Sequence, residues 1–156
     1  MTRSAQFALS LFASAAMASA AFAAAPVAEG GRKFDTVLSG ANECNSAGTC
    51  NLGDSDGTGT AHVTVNVGQQ RVCWSMTANN IAAPTRSHIH KGPATGAGGI
   101  VVSFFETAAT ANLESCTTAE LDRELLTDII QNPQDYYVNI HNAAFPAGAI
   151  RGQLSK

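Results

Sequence analysis

Basic clusters are missing from this sequence. Its nine lysines and arginines are spread over 156 residues with no more than two adjacent, and twelve acids outnumber them. A nucleic-acid surface needs concentrated positive charge against phosphate and aromatic rings to stack on bases, so that class of partner is excluded. The four cysteines include no C-x2-C pair, which argues against a thiolate zinc site. Neither a G-x-x-x-x-G-K-[ST] phosphate loop nor a serine in a nucleophile elbow is present. Beyond the N-terminus no apolar run approaches the ~20 residues of a membrane span.

What the N-terminus does carry is an export pattern. Arg3 supplies a positive start, an apolar stretch runs from Phe7 to about Ala18, and Ala21-Phe22-Ala23 is a small-x-small cleavage site, with Ala18-Ser19-Ala20 as an alternative. Residues 1–23 are therefore read as a signal peptide, 24–32 as a flexible N-terminal segment and 33–156 as one domain. The signal peptide contains only Arg3 among charged residues, so cleavage leaves eight basic against twelve acidic residues, a net charge of −4. The expected location is secreted or periplasmic, with no integral membrane segment after cleavage.

Export places the cysteines in an oxidising compartment, where an even count favours disulfides. Cys44 with Cys50 would close a small loop, and Cys73 with Cys116 would staple a strand to the segment before a helix.

From Lys33 the patterns are those of strands. Lys33 to Leu38 opens the series, and residues 40–59 form a polar loop rich in Gly, Asn, Asp and Ser. Its Asp54 and Asp56 resemble a fragment of a calcium loop, but no closing glutamate follows and a solvated turn is the reading. Ala61, Val63, Val65 and Val67 then alternate with His62, Thr64 and Asn66, and Gly68-Gln69-Gln70 returns the chain into Val72, Trp74 and Met76 as a hairpin. His62, alone on its polar face, is read as a surface residue. Ile100 to Phe105 is short and β-branched and reads as a buried strand. A helix is predicted after Cys116, from a Thr117-x-x-Glu120 capping box through Leu121, Leu125 and Ile129 to a stop at Pro133. It is read as a cover over the sheet, without catalytic groups.

Chemistry concentrates in Ser87-His88-Ile89-His90-Lys91-Gly92. On a strand, residues two apart leave the same face ~6.6 Å from each other, so both imidazoles project together while Ile89 turns into the core. His141 lies in a second strand-like run, Tyr136 to His141, and matching Ile140 with Ile150 across the last hairpin sets Asn139 opposite Arg151. His88, His90 and His141 are the candidate metal ligands, with Asn139 and Arg151 beside them as supporting or ligand-contacting groups. The same imidazoles have a purely structural alternative, each satisfied by backbone carbonyls and neighbouring hydroxyls without a metal.

Taken together, the Ser87-His88-Ile89-His90-x-Gly92 motif, the apolar strand Ile100 to Phe105, the Tyr136 to His141 run and Phe145 to Leu154 resemble the chordin-type (CHRD) domain of secreted bacterial proteins. The placement of Cys73 and Cys116 is similar to that of many bacterial members. The resemblance spans roughly Phe34 to Leu154. It implies a mainly β fold, an antiparallel β-sandwich of Greek-key, immunoglobulin-like or superoxide-dismutase-like type with one covering helix, outside the cytoplasm. In animal chordins, repeated copies belong to proteins that sequester growth factors. The His-x-His pair is also similar to copper ligands of copper–zinc superoxide dismutases, although the zinc loop of that family has no counterpart here.

Three functions follow as expectations. The first is a non-catalytic protein binding copper or zinc through the histidines, since neutral imidazole suits both metals. The second is an interaction module whose histidine-bearing face contacts an extracellular protein or glycan. The third is a metal-dependent enzyme, such as a dismutase-like oxidoreductase.

Overall fold

The computed structural model describes residues 30–108 and 111–155. The signal peptide expected over 1–23, and residues 24–29 after it, lie outside the described residues. Among the described residues eight strands and one α-helix follow in order: β1 (Arg32–Ser39), β2 (Thr58–Asn66), β3 (Arg71–Asn79), β4 (Pro84–Lys91), β5 (Gly99–Phe105), β6 (Glu114–Cys116), α1 (Arg123–Gln131), β7 (Tyr136–Asn142) and β8 (Ile150–Gln153). They form one antiparallel sheet in the order β5-β4-β7-β8-β1-β2-β3-β6.

Two halves of that sheet fold onto each other. β8 meets β1 at a single register pair, Ser39 with Arg151, so the sheet is nearly divided there. Trp74 of β3 and Phe104 of β5, from near opposite ends of the order, stack at 4.5 Å with 17° between their planes. The result is sandwich- or barrel-like and mainly β, in line with the fold that the family resemblance implies. The core is built from inward residues of both halves, among them Phe34, Leu38, Val63, Trp74, Ile89, Val138, Ile140 and Ile150. Both disulfides are as expected, Cys44–Cys50 and Cys73–Cys116, the second joining directly paired residues of β3 and β6. The β2–β3 hairpin has the register of its apolar alternation, with Val63 opposite Trp74.

The helix starts later than its capping box predicts. Thr117 donates its N–H to the Val72 carbonyl and Leu121 donates to that of Gln70, so residues 117–121 run beside β3 and the preceding turn. Asp122 is the true N-cap, accepting from the Glu124 and Leu125 N–H groups. Leu126 and Ile129 seal the core, and Asp128 ties α1 to Lys91 at 2.6 Å and to the Tyr136 hydroxyl. β5 departs from expectation too. It is an edge strand, and Ile100 near its start is 54% exposed, while Val102, Phe104 and Phe105 enter the core and Val101 packs against it half-buried. The polar loop after β1 also buries more than its composition suggests, taking Glu43 and Cys44 inside.

The cap assignment predicts a difference between two exposed acids. Asp122→Ala should lower stability by ~1 kcal/mol, the usual cost of losing an N-cap. Glu120→Ala should change it by less than ~0.5 kcal/mol. Urea unfolding of both variants measures this, and the reverse order would restore the Thr117–Glu120 cap.

Candidate metal centre

β7 is the strand around which the site is built, because all seven of its residues are buried. Strand alternation gives it two faces. One carries Tyr136, Val138 and Ile140 into the apolar core. On the other, register aligns His88, Asn139 and Arg151 in one row across β4, β7 and β8, and His90, Tyr137 and Gln153 in the next, with Arg86 beside His141. Three connections bury that polar face: the glycine loop from Gly92 to Gly98, the β7–β8 turn and the segment around Glu43. The loop's close fit to β4 requires glycine at 98, where a Cβ would fall 1.8 Å from the Lys91 carbonyl oxygen.

The three candidate ligands meet there. His88, His90 and His141 are all buried, and one ring nitrogen of each lies within 4.8 Å of the others. Their other ring nitrogens face groups that only accept hydrogen bonds. His90 Nδ1 donates to the Gly98 carbonyl at 2.9 Å and His141 Nδ1 to that of Pro146 at 3.1 Å. His88 Nε2 donates to the Glu106 carboxylate at 3.3 Å. Those acceptors fix each tautomer, leaving lone pairs on His88 Nδ1, His90 Nε2 and His141 Nε2. Two of the three stand 3.0 Å apart, His88 Nδ1 against His141 Nε2, and the third, His90 Nε2, is buried with no hydrogen-bond partner among the described residues.

Electrostatics keep these rings neutral. Burial lowers the pKa of all three, and the charges His88 and Arg86 would carry push His141 further, to about 4. The Glu106 carboxylate opposes the shift at His88 and the Gly98 carbonyl opposes it at His90. A neutral imidazole whose second nitrogen donates to a carbonyl or carboxylate is the form in which histidine binds metal. Nitrogens around a tetrahedral ion at ~2.05 Å stand roughly 3.3 Å apart. His88 and His141 are already near that spacing.

Arg151 reaches the site through the glycine loop and Tyr137. It is 1% exposed, donates to the Gly96 and Pro93 carbonyls at 2.9 and 2.6 Å and to Gln153 Oε1 at 3.3 Å, and lies 3.4 Å over the Tyr137 ring. Tyr137 in turn stacks on His90, 4.8 Å away and 6° from parallel. Arg151 thus braces the glycine loop and, through Tyr137, the ring of the candidate ligand His90. Asn139 stands beside Glu43 and His90, and its side-chain amide opposes the burial shift of both groups. His62 is remote and exposed, paired with Asp35 at 2.6 Å.

Sequence patterns did not mark Glu43, Glu106, Tyr137 or the carbonyls of Gly98 and Pro146. Ser103-x-x-Glu106 was the available signal for one of them, since Ser103 of β5 pairs with His88 and its hydroxyl binds Glu106. Glu43 had none. Burial raises its carboxyl to about 7, against the opposing pull of Arg151 and Asn139, and the missing Cβ of Gly148 makes room for it.

Acid should therefore act on the metal-free protein in two opposed ways. Between the ordinary histidine pKa near 6.5 and about 4, the unfolded chain binds protons that folded His141 does not, so stability falls as pH falls. Glu43, raised from 4.5 to about 7, is protonated first in the folded state and stabilises it over an overlapping range. Glu43→Gln should accordingly make the loss of stability between pH 7 and 4.5 steeper than in the wild type, by urea unfolding in chelator. A shallower loss would contradict the burial described.

A family model for the CHRD domain matches residues 34–154. No curated protein and no solved structure matches the chain. The matched region starts within β1, ends just past β8 and takes in every ligand candidate, and on that extent the chain belongs to the CHRD-domain family.

Proposed function

We propose that this CHRD-domain protein is an exported, non-catalytic transition-metal-binding protein that holds copper or zinc through His88 Nδ1, His90 Nε2 and His141 Nε2. One observation carries the reading: His88 Nδ1 and His141 Nε2 stand 3.0 Å apart in a buried site, each on a ring whose other nitrogen already faces an acceptor. Two acceptors at that distance repel unless a cation sits between them, and a proton there is disfavoured by the same burial that lowers both pKa values. A metal ion relieves the repulsion and also takes up the lone pair of His90. All-nitrogen ligation suits Cu(II) and Zn(II), with copper bound more tightly on the general affinity order.

Burial separates this reading from its rivals. A catalytic metal keeps a position open to substrate, whereas the three ligands here are between 0% and 7% exposed. The face carrying them is covered by loops, so neither a protein nor a glycan partner reaches it. A partner of this extracellular-type module would use another surface. Export itself rests on the N-terminal pattern and on two disulfides.

Titration of zinc and copper into chelator-treated protein should give one equivalent bound, and zinc at one hundred times its Kd should stabilise the fold by about 2.7 kcal/mol. The His88→Ala, His90→Ala variant should show neither effect. Equal binding by the variant would overturn the assignment.

A further inference from the structure

The ligand His90 owes its tautomer to the Gly98 carbonyl, and the glycine loop, held on its inner side by Arg151, rests on its outer side against a small covalent ring. Cys44 and Cys50 close that ring, whose interior is ordered by Asn45: its N–H donates to the Thr49 carbonyl at 2.9 Å, and its Oδ1 accepts from the Ala47 and Thr49 N–H groups at 3.0 Å each. From this ring the Asn45 carbonyl accepts from the Ala97 N–H at 3.3 Å, and Cys44 Sγ lies 3.6 Å from the Ala94 carbonyl oxygen. A Cβ on Gly48 would lie 3.4 Å from the Thr95 carbonyl oxygen, so the ring rests against the loop at a third point. The clasped loop presents its carbonyls inward, Gly98 to His90 and Gly96 and Pro93 to Arg151. Glu43, next to Cys44, continues into the polar layer itself.

The two disulfides are not equally shielded. Cys73 and Cys116 are 5% and 8% exposed; Cys44 is as buried, at 7%, but its partner Cys50 is only half-buried, and that is the side a thiol approaches. We propose that the Cys44–Cys50 disulfide is a redox-sensitive clasp on the metal centre, whose reduction by a dithiol releases the glycine loop and weakens the hold of His90 on the metal. The proposal rests on the metal reading above. In the chemical step a reductant thiolate attacks Cys50 Sγ, the S–S bond breaks, and the electron pair leaves on Cys44 Sγ, which takes up a proton. The second reductant thiol then displaces Cys50, so the protein gains two thiols and the dithiol leaves as a disulfide, with two electrons transferred.

The test uses zinc and the Cys44→Ser, Cys50→Ser variant, which opens the clasp without adding thiolate ligands. Zinc affinity should fall about 10–100-fold, the usual cost of losing a group that orients a metal ligand. In the metal-free variant, nitrogen-15 NMR should show the His90 ring exchanging between tautomers, where the wild type holds one with the proton on Nδ1. Should the variant not fold, folded wild type with Cys44 and Cys50 selectively reduced and alkylated takes its place, mass spectrometry confirming that Cys73–Cys116 stays closed. Unchanged zinc affinity with a single His90 tautomer would overturn the clasp. A wild type that binds no zinc would instead sink the metal reading, and the His90 tautomer would then decide the clasp alone.

Discussion

The facing nitrogens of His88 and His141 are the constraint on which the polar half of the structure depends. Each ring must place one N–H on an acceptor, and the acceptors at Glu106 and Pro146 turn both remaining lone pairs toward the same point. An uncompensated buried acceptor costs on the order of 1–3 kcal/mol, and here His90 Nε2, Asn139 Oδ1 and Glu43 Oε1 add to the number. Such an arrangement is poor as a packing core and well suited to a cation. The apolar core on the opposite face of β4, β7 and β8 makes the cost bearable, because Ile89, Val138, Ile140 and Ile150 lock the strands whose other faces carry the site.

The loops turn a polar sheet face into an interior. Arg151 links this cover to the sheet, since one guanidinium binds two carbonyls of the glycine loop and lies on the ring that stacks against His90. Its five donors in a fixed fork suit carbonyl clamping better than a lysine would. Fold and site are therefore coupled: the sheet sets the row of His88, Asn139 and Arg151, and the loop held by Arg151 sets the ring orientation.

Much of this was legible in residue patterns because strands encode it with period two. Val63 against Trp74 and Ile140 against Ile150 follow from alternation and turn chemistry, and with the second pairing comes the alignment of Asn139 with Arg151. The meeting of His88, His90 and His141 follows once β4 and β7 are neighbours. Alternation does not say what covers a face, so it sets Asn139, His141 and Arg151 on one polar face without showing that loops bury it. Glu43, separated from Arg151 by more than a hundred residues, has no periodic relation to anything it touches. The helix start was misplaced because Thr117 and Glu120 satisfy a capping pattern locally, while Val72 and Gln70 offer Thr117 and Leu121 backbone partners that the local pattern cannot register.

The position of the metal tests the account most directly. Crystals grown from zinc- or copper-loaded protein should give one strong anomalous peak at the metal edge, ~2.0–2.1 Å from His88 Nδ1, His90 Nε2 and His141 Nε2, with the Glu106, Gly98 and Pro146 hydrogen bonds retained. A metal bound instead through the opposite ring nitrogens, or at exposed His62 with the buried histidines unligated, would contradict it.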